Sequence, residues 1–269
     1  MSKKITIQVY SDIHLDLIKS NKHCALQISL TPLAKYLFLA GNICNLNHAM
    51  FFKFFDYCTT HWEKIFFTPG NQDFYSSKKN YGLLDFEYEM KIKERYKNVF
   101  YLNRGSVSLD NDIDVYGSVF WTFPLPEVSN WSLRDFSNIQ QFHETKKMNL
   151  PIDLKFVRDL SDKDFVHIQS YLEKKKKKVI VMTHFPPSQD GTNNPSTNQF
   201  NELKNYYAWD NTTLDMVNLN DVIAWISGHT HWSYDIKRVN TRLISNQAGY
   251  TREEGKTNFL PTGLYEIEY

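Results

Sequence analysis

Ile5-Thr6-Ile7-Gln8-Val9-Tyr10 is a mostly apolar, β-branched run that stops abruptly at Ser11-Asp12-Ile13-His14. A buried strand that delivers a carboxylate and an imidazole two residues apart is a strand with a loaded C-terminal end. Four more stretches have this form. Tyr36–Ala40 runs into Gly41-Asn42, and Ile65–Thr68 into Pro69-Gly70-Asn71-Gln72-Asp73. Val179–Thr183 runs into His184, and Val222–Ser227 into Gly228-His229-Thr230-His231. In open α/β sheets, ligands gather outside the carboxyl ends of the strands, so five ends far apart in sequence can serve one crevice.

Between these strands, and a further one at Val99–Leu102, lie helical stretches at Asn47–His61, about Tyr81–Lys97 and Ser161–Lys176. The last opens with Ser161 three residues before Asp164, the spacing of a capping box. Strand and helix alternate, which predicts an α/β layered core. Two hairpins are expected as well. Ser106–Leu109 turns at Asn111-Asp112 into Ile113–Trp121, and Tyr234–Val239 turns at Asn240-Thr241 into Arg242–Ser245, so antiparallel strands enter the sheets.

The 269 residues are 42% hydrophobic and 15% aromatic, enough to bury one large core, and a single domain spanning 1–269 is expected. A net charge of +1, from 31 basic and 30 acidic residues, gives no footprint for extended nucleic acid or an anionic membrane. The expected partner is small, or met through a local patch. The run Lys174–Lys178 closes a helix, where lysines suit the helix dipole, and reads as a solvated face. The chain opens on Met1-Ser2-Lys3-Lys4 without an apolar leader, and no segment approaches the roughly 18 apolar residues of a membrane span. Cys24, Cys44 and Cys58 form neither an even set nor a zinc spacing, which predicts free thiols and a cytoplasmic setting. The stretch from about 185 to 220 is rich in Asn, Thr, Ser and Pro, follows a strand end directly, and is expected to act as a lid.

Each loaded strand end is weak evidence alone; together, in order, they resemble the calcineurin-like metallophosphoesterases, whose pattern is D-x-H, G-D, G-N-H-[ED], H and G-H-x-H. The resemblance covers nearly the whole chain and is close to one bacterial-type branch. Ser11 to Asp16 is similar to its S-D-[LI]-H-L-[ED] opening, Leu39 to Ile43 to L-A-G-D-I, and Pro69 to Tyr75 to P-G-N-H-E-F-Y. Gly117 to Thr122 resembles its G-x-x-x-W-T segment, Asp135-Phe136 its N-D-[YF] loop, Thr183 to Ser188 its T-H-[HF]-x-P-S, and Asn246 to Tyr250 its N-x-x-G-Y. The implied fold is a four-layer α/β sandwich, two mixed β-sheets flanked by helices. The implied cofactor is one or two divalent ions (Mn, Fe, Zn or Mg). The first metal would take Asp12, His14, Asn42 and His231; the second would take Asn42, Asn71, His184 and His229. Such a pair generates a nucleophile from water and clamps the phosphoryl oxygens.

Two positions depart from the family pattern. Asn42 stands where the family has an aspartate bridging both metals, and at an effective dielectric near 20 the lost charge costs on the order of several kcal/mol per ion. Gln72 stands where the family has a histidine beside the leaving group. An amide donates a hydrogen bond there but transfers no proton, and acid–base help of about 10²–10⁴-fold is forgone. Asp73, next to it, is a further catalytic candidate, and with Asp16 a carboxylate able to offset lost charge. Trp121, Phe185 and Tyr75 are expected to line a substrate pocket. These residues imply a phosphoesterase of reduced activity acting on a small phosphomonoester, phosphodiester or nucleotide through a weakened dinuclear site. The alternative is a pseudoenzyme using the fold as a binding module, as the retromer subunit of this fold does. A nuclease is disfavoured by the charge.

Overall fold

The computed structural model describes residues 3–17, 30–123, 133–195 and 206–269. In β2 (Tyr36–Ala40), Leu37 and Leu39 alternate with Phe38 and Ala40, and all four are fully buried. A strand with no face for water has to sit inside a stack of layers. It is flanked by β1 (Lys4–Tyr10) and β3 (Lys64–Thr68), with β4 (Val99–Tyr101) beyond, all parallel. An antiparallel strand, Leu264–Glu268, closes the β1 edge, making five strands.

The second sheet has six. Its parallel centre is β6 (Ile113–Ser118), β9 (Lys178–Thr183), β10 (Val222–Ile226) and β12 (Thr241–Ser245). β5 (Gly105–Ser108) and β11 (Tyr234–Arg238) pair antiparallel at the two edges, where the two hairpins were expected.

Phe38, Ala40 and Phe66 meet Ile180, Met182, Ala224 and Ile226 between the sheets. Leu37, Leu39, Ile65 and Phe67 face the other way and pack on Phe51 and Phe55 of α1 (Met50–His61) and Tyr88 of α2 (Tyr81–Arg95). After the short α3 (Asp135–Asn138) comes α4 (Leu154–Lys174), whose Ile168 and Leu172 pack on Val179, Val181 and Trp225 beneath the second sheet. The result is the four-layer sandwich. Each fully buried Leu, Ile or Phe contributes about 1.5–3 kcal/mol relative to exposure, so the alternation holds the layers together.

The start of α4 corrects the expected one. It begins at Leu154, capped by Asp153, whose side chain accepts from the Phe156 amide at 2.8 Å. Ser161 and Asp164 are therefore buried inside the helix. Asp164 instead accepts from Arg104 at 2.6 Å and from the Trp121 amide at 2.9 Å, tying the helix to the end of β6. The hairpin of β7 (Gln140–His143) and β8 (Met148–Pro151) and the C-terminal strand, β13 (Leu264–Glu268), were not foreseen. In the lysine run, Lys177 pairs with Asp114 at 3.2 Å and Lys178 with Asp221 at 3.6 Å. Cys44 and Cys58 are buried free thiols, and Cys24 lies outside the described residues. No helix among the described residues is long and apolar enough to cross a membrane.

Candidate metal centre

Because β1, β2 and β3 run parallel in one sheet and β9, β10 and β12 in the other, their carboxyl ends meet at one edge of the sandwich. Backbone and side-chain bonds seam that edge. The Ser11 amide donates to the Asn246 carbonyl at 2.9 Å, and the Gly228 amide to that of His184 at 2.9 Å. Asn246 Nδ2 donates to the Val9 carbonyl at 2.9 Å.

The loops leaving these strands turn sharply. Asp12, His14, Asn42, His229 and His231 all have φ between 50° and 74°, five of the seven candidate ligands in the left-handed region. Asp, Asn and His tolerate that region better than other side chains, and strained backbone of this kind clusters at functional sites. Glycine is required where the loops touch. A Cβ on Gly228 would lie 2.7 Å from Asp12 Oδ2, and one on Gly41 would lie 2.4 Å from His184 Nδ1.

Asp12 is fully buried, and its Oδ2 accepts from the His229 amide at 2.9 Å. Its Oδ1 faces His231 Nε2 at 3.5 Å and His14 Nε2 at 3.9 Å. These three donor atoms lie within 4.8 Å of one another. Two imidazoles and a carboxylate so placed suit a borderline divalent ion with open positions. His14 Nε2 and His231 Nε2 are only 3.2 Å apart, and Glu253 Oε2 receives His231 Nδ1 at 2.5 Å. Burial holds His14 down to about 3. Burial also opposes charge on His231, but hydrogen bonds to Asp12 and Glu253 raise it to about 9. Burial pushes Asp12 upward, and the His231 hydrogen bond with the nearby imidazoles overcomes it, holding Asp12 ionised below the ordinary carboxylate range.

A second set lies behind the first. His184 Nδ1 donates to the Ala40 carbonyl at 2.9 Å, so its Nε2 presents a lone pair. That atom is 3.1 Å from Asn71 Oδ1, also an acceptor, because Asn71 Nδ2 donates to both oxygens of Asp135 at 2.9 and 3.0 Å. His229 Nε2 is buried and has no hydrogen-bond partner among the described residues. Burial lowers the pKa of both imidazoles, and that of His229 falls well below the ordinary histidine value. Two facing lone pairs and an orphaned third make a donor set that a cation would satisfy, so the residues present fit a metal here as well.

Between the two sets sits Asn42. Its Oδ1 accepts from the Gln72 amide at 2.9 Å, which fixes the carboxamide and turns Nδ2 towards the ligands. That nitrogen donates to Asp12 Oδ1 and Asn71 Oδ1, each at 3.1 Å. Position 42 thus presents a donor to the space where a bridging acceptor was expected.

The remaining candidates are distributed unevenly. Gln72 lies on the cavity wall and donates to the Tyr250 hydroxyl at 2.6 Å. Tyr75 lines the same cavity, its hydroxyl donating to Asp135 at 2.6 Å. Asp73 does not reach it. It is buried behind the loops, accepting from the Asn42 and Gly70 amides, each at 2.8 Å, and burial pushes its pKa well up. Asp16 likewise lines neither cavity flanking the centre; burial raises its pKa too. Trp121 and Phe185 are corrections as well. Both are buried in the core under the centre, the Phe185 ring 4.1 Å from that of His229, so they support the ligands from below instead of lining the mouth.

The cavity, about 390 Å³, is walled instead by Tyr206, Tyr207, Tyr250, Asn193 and three cations, Arg134, Arg252 and Lys256. Asp135, Tyr206, Glu253 and Tyr250 were missed as site residues. Asp135 and Tyr250 lay in quoted motifs, whereas Tyr206 and Glu253 carry no pattern of their own. The Tyr250 ring stacks on His14 at 4.7 Å and meets His231 edge-on at 4.6 Å. Of the stretch expected to be a lid, Asn193, Asn194, Tyr206 and Tyr207 reach the cavity, and 196–205 lie outside the described residues.

A sequence model described as calcineurin-like phosphoesterase matches residues 5–233. Over 97% of its length the chain is 28% identical to an uncharacterised protein, L509, of Acanthamoeba polyphaga mimivirus, covering 96% of that protein. In structure it is similar to phosphopantetheinyl hydrolase, PptH, from Mycobacterium tuberculosis. The TM-score is 0.66 at 15% identity, with 97% of this chain and 95% of that one covered.

Proposed function

The chain belongs to the calcineurin-like phosphoesterase family, and from that premise we propose that it hydrolyses a small phosphate ester in the cytosol through one strong and one weak metal position. The observation that carries this reading is the orientation of Asn42, whose amide nitrogen points between the two ligand sets. An amide nitrogen does not ligate, and it brings no negative charge between two dications.

Asp12 Oδ1, His14 Nε2 and His231 Nε2 would hold the strong position. Asn71 Oδ1, His184 Nε2 and His229 Nε2 would form the weak one, with no anion among them. When bound, divalent ions supply a nucleophile derived from water and Lewis-acid stabilisation of the phosphoryl oxygens. The chain's own residues do the rest. Glu253 fixes the ring of His231, and Asp135 aims the oxygen of Asn71. Gln72 holds the Tyr250 hydroxyl over the centre, where it can hydrogen-bond a leaving oxygen. The segment around 185–220 serves as a lid within one catalytic domain, its Tyr206 and Tyr207 forming part of the wall.

The test is metal content of the purified protein, followed by turnover of bis(p-nitrophenyl) phosphate with added Mn²⁺. One tightly held ion per chain, a second only in excess metal, and slow turnover are expected. Bound metal with no turnover at any Mn²⁺ concentration would favour the binding-module reading.

A further inference from the structure

Arg134 and Arg252 both line the cavity over the metal centre, and both also line a second cavity of about 520 Å³ on the far side of Tyr250. That second space is bounded by Ile13, Leu17, Ala248 and Phe259 as well. Any molecule lying across the centre and reaching into both spaces therefore passes two guanidinium groups.

Their positions are fixed by the ligands themselves. Arg134 immediately precedes Asp135, the acid that aims Asn71, and the Arg134 carbonyl accepts from the Ser137 and Asn138 amides. Arg252 immediately precedes Glu253, the acid that holds His231 and accepts from the Tyr250 amide at 2.9 Å. Lys256, on the first cavity, is tied to the same turn through its amide, which donates to the Glu253 carbonyl at 2.9 Å. Each cation is thus anchored, through its neighbour in the chain, to the ligand sets.

The neighbouring acids form no ion pair with them among the described residues. Asp135 is taken by Asn71, Tyr75 and Tyr206, and Glu253 by His231 and Tyr250. Glu254, on the second cavity, forms no ion pair with either arginine among the described residues. The guanidinium carbons lie over aromatic rings instead, that of Arg134 6.0 Å from the Tyr75 centroid and that of Arg252 5.2 Å from the Tyr250 centroid. A ring beneath a guanidinium uses none of its N–H donors, and both arginines line the two cavities, so their donors are available to a bidentate oxyanion there.

We infer that Arg134 and Arg252, supported by Lys256, form a second anion clamp beside the metal centre, so that the substrate is a phosphate ester with a second phosphoryl group next to the scissile one, a diphosphate. This deepens the hydrolase reading and rests on it for the word substrate. A single phosphodiester carries one negative charge and leaves the clamp without a partner. A diphosphate places one phosphoryl group over the ligands and the other between the arginines.

The experiment uses full-length protein with its metal bound, desalted to remove free ions. Inorganic pyrophosphate and orthophosphate are titrated by calorimetry into the wild type, Arg134→Gln, Arg252→Gln and the double variant. Both arginines are exposed, and thermal melts check that the variants fold. Pyrophosphate is expected to bind the wild type at least about tenfold more tightly than orthophosphate, with a strong salt dependence. In the double variant the ratio should fall to within about twofold. A wild type that does not discriminate, or a double variant that keeps the full ratio, overturns the clamp. Turnover of bis(p-nitrophenyl) phosphate separates the two readings: discrimination without hydrolysis leaves the clamp and removes the hydrolase, and hydrolysis without discrimination does the reverse.

Discussion

The side-chain amide of Asn42 donates to Oδ1 of Asp12 across 3.1 Å, so a candidate metal ligand is engaged by a neutral donor where a second carboxylate was expected. Asn42→Asp should reverse that relationship. Two carboxylates would then face each other, and the metal-free variant should melt lower than the wild type. With Mn²⁺ the order should invert, because the returned anion sits between two dications. The second ion should bind on the order of a hundredfold more tightly, a conservative share of the several kcal/mol that one charge is worth at that distance. Calorimetric metal titration checks this, and a wild type that already binds two ions equally well would refute it.

Asp135 is buried, and Asn71, Tyr75 and Tyr206 all donate to it. Burial outweighs those donors and raises its pKa. Asp135→Asn exchanges one acceptor oxygen for a donor in a shell that offers only donors. A loss of about 1–3 kcal/mol of folding stability follows from the unsatisfied groups. Asn71 would also lose its orientation, weakening the second metal position. Urea denaturation and metal titration measure the two effects; Tyr206→Phe, which removes one donor, should cost less. An Asp135→Asn protein as stable as the wild type would show that the network is not anchored there.

Much of this architecture was legible in the chain. Residues 37–40 and 179–182 are apolar at every position because helices cover one face and the other sheet covers the other. The polar residues just beyond them had to gather at one edge because the strands are parallel. The start of α4 was misread because Ser161 and Asp164 have cap spacing, and only the tertiary contact of Asp164 with Arg104 shows that they lie mid-helix. Trp121 and Phe185 follow strand ends as the ligands do, but nothing local says whether an aromatic ring turns into a cleft or beneath it. Glu253 was invisible for a similar reason: its role depends on a turn that returns to His231 from 22 residues away.

Glu253→Gln should test that return. The carboxylate accepts His231 Nδ1–H at 2.5 Å and so keeps Nε2 directed at Asp12 and His14. An acid that orients a ligating imidazole typically contributes 10–100-fold to metal affinity. The first ion should therefore bind about 10–100-fold more weakly in the variant, while the second position, which Glu253 does not touch, changes little. Equal loss at both positions would mean that the turn Thr251–Glu253 has unfolded rather than lost one contact.

Gln72 donates to the Tyr250 hydroxyl at 2.6 Å beside the place where a leaving oxygen would sit, and it cannot give up a proton. Gln72→His introduces a group that can, so its benefit should grow as the leaving group worsens. For p-nitrophenol, which departs readily, the gain in kcat/KM should be small. For an alkyl leaving group it should approach the roughly 10²–10⁴-fold of a placed general acid. The gain also depends on Asn42, because a histidine can assist departure only if the phosphoryl group is held by the metal pair. The double variant Asn42→Asp, Gln72→His should therefore exceed the sum of the single effects in log rate, since residues acting as one unit are non-additive. Metal stoichiometry and kcat/KM for aryl and alkyl phosphodiesters, measured on all four proteins in excess Mn²⁺, decide it. A double variant that binds two ions yet hydrolyses neither ester would mean that the pocket has diverged beyond its ligands, and that binding without turnover is its function.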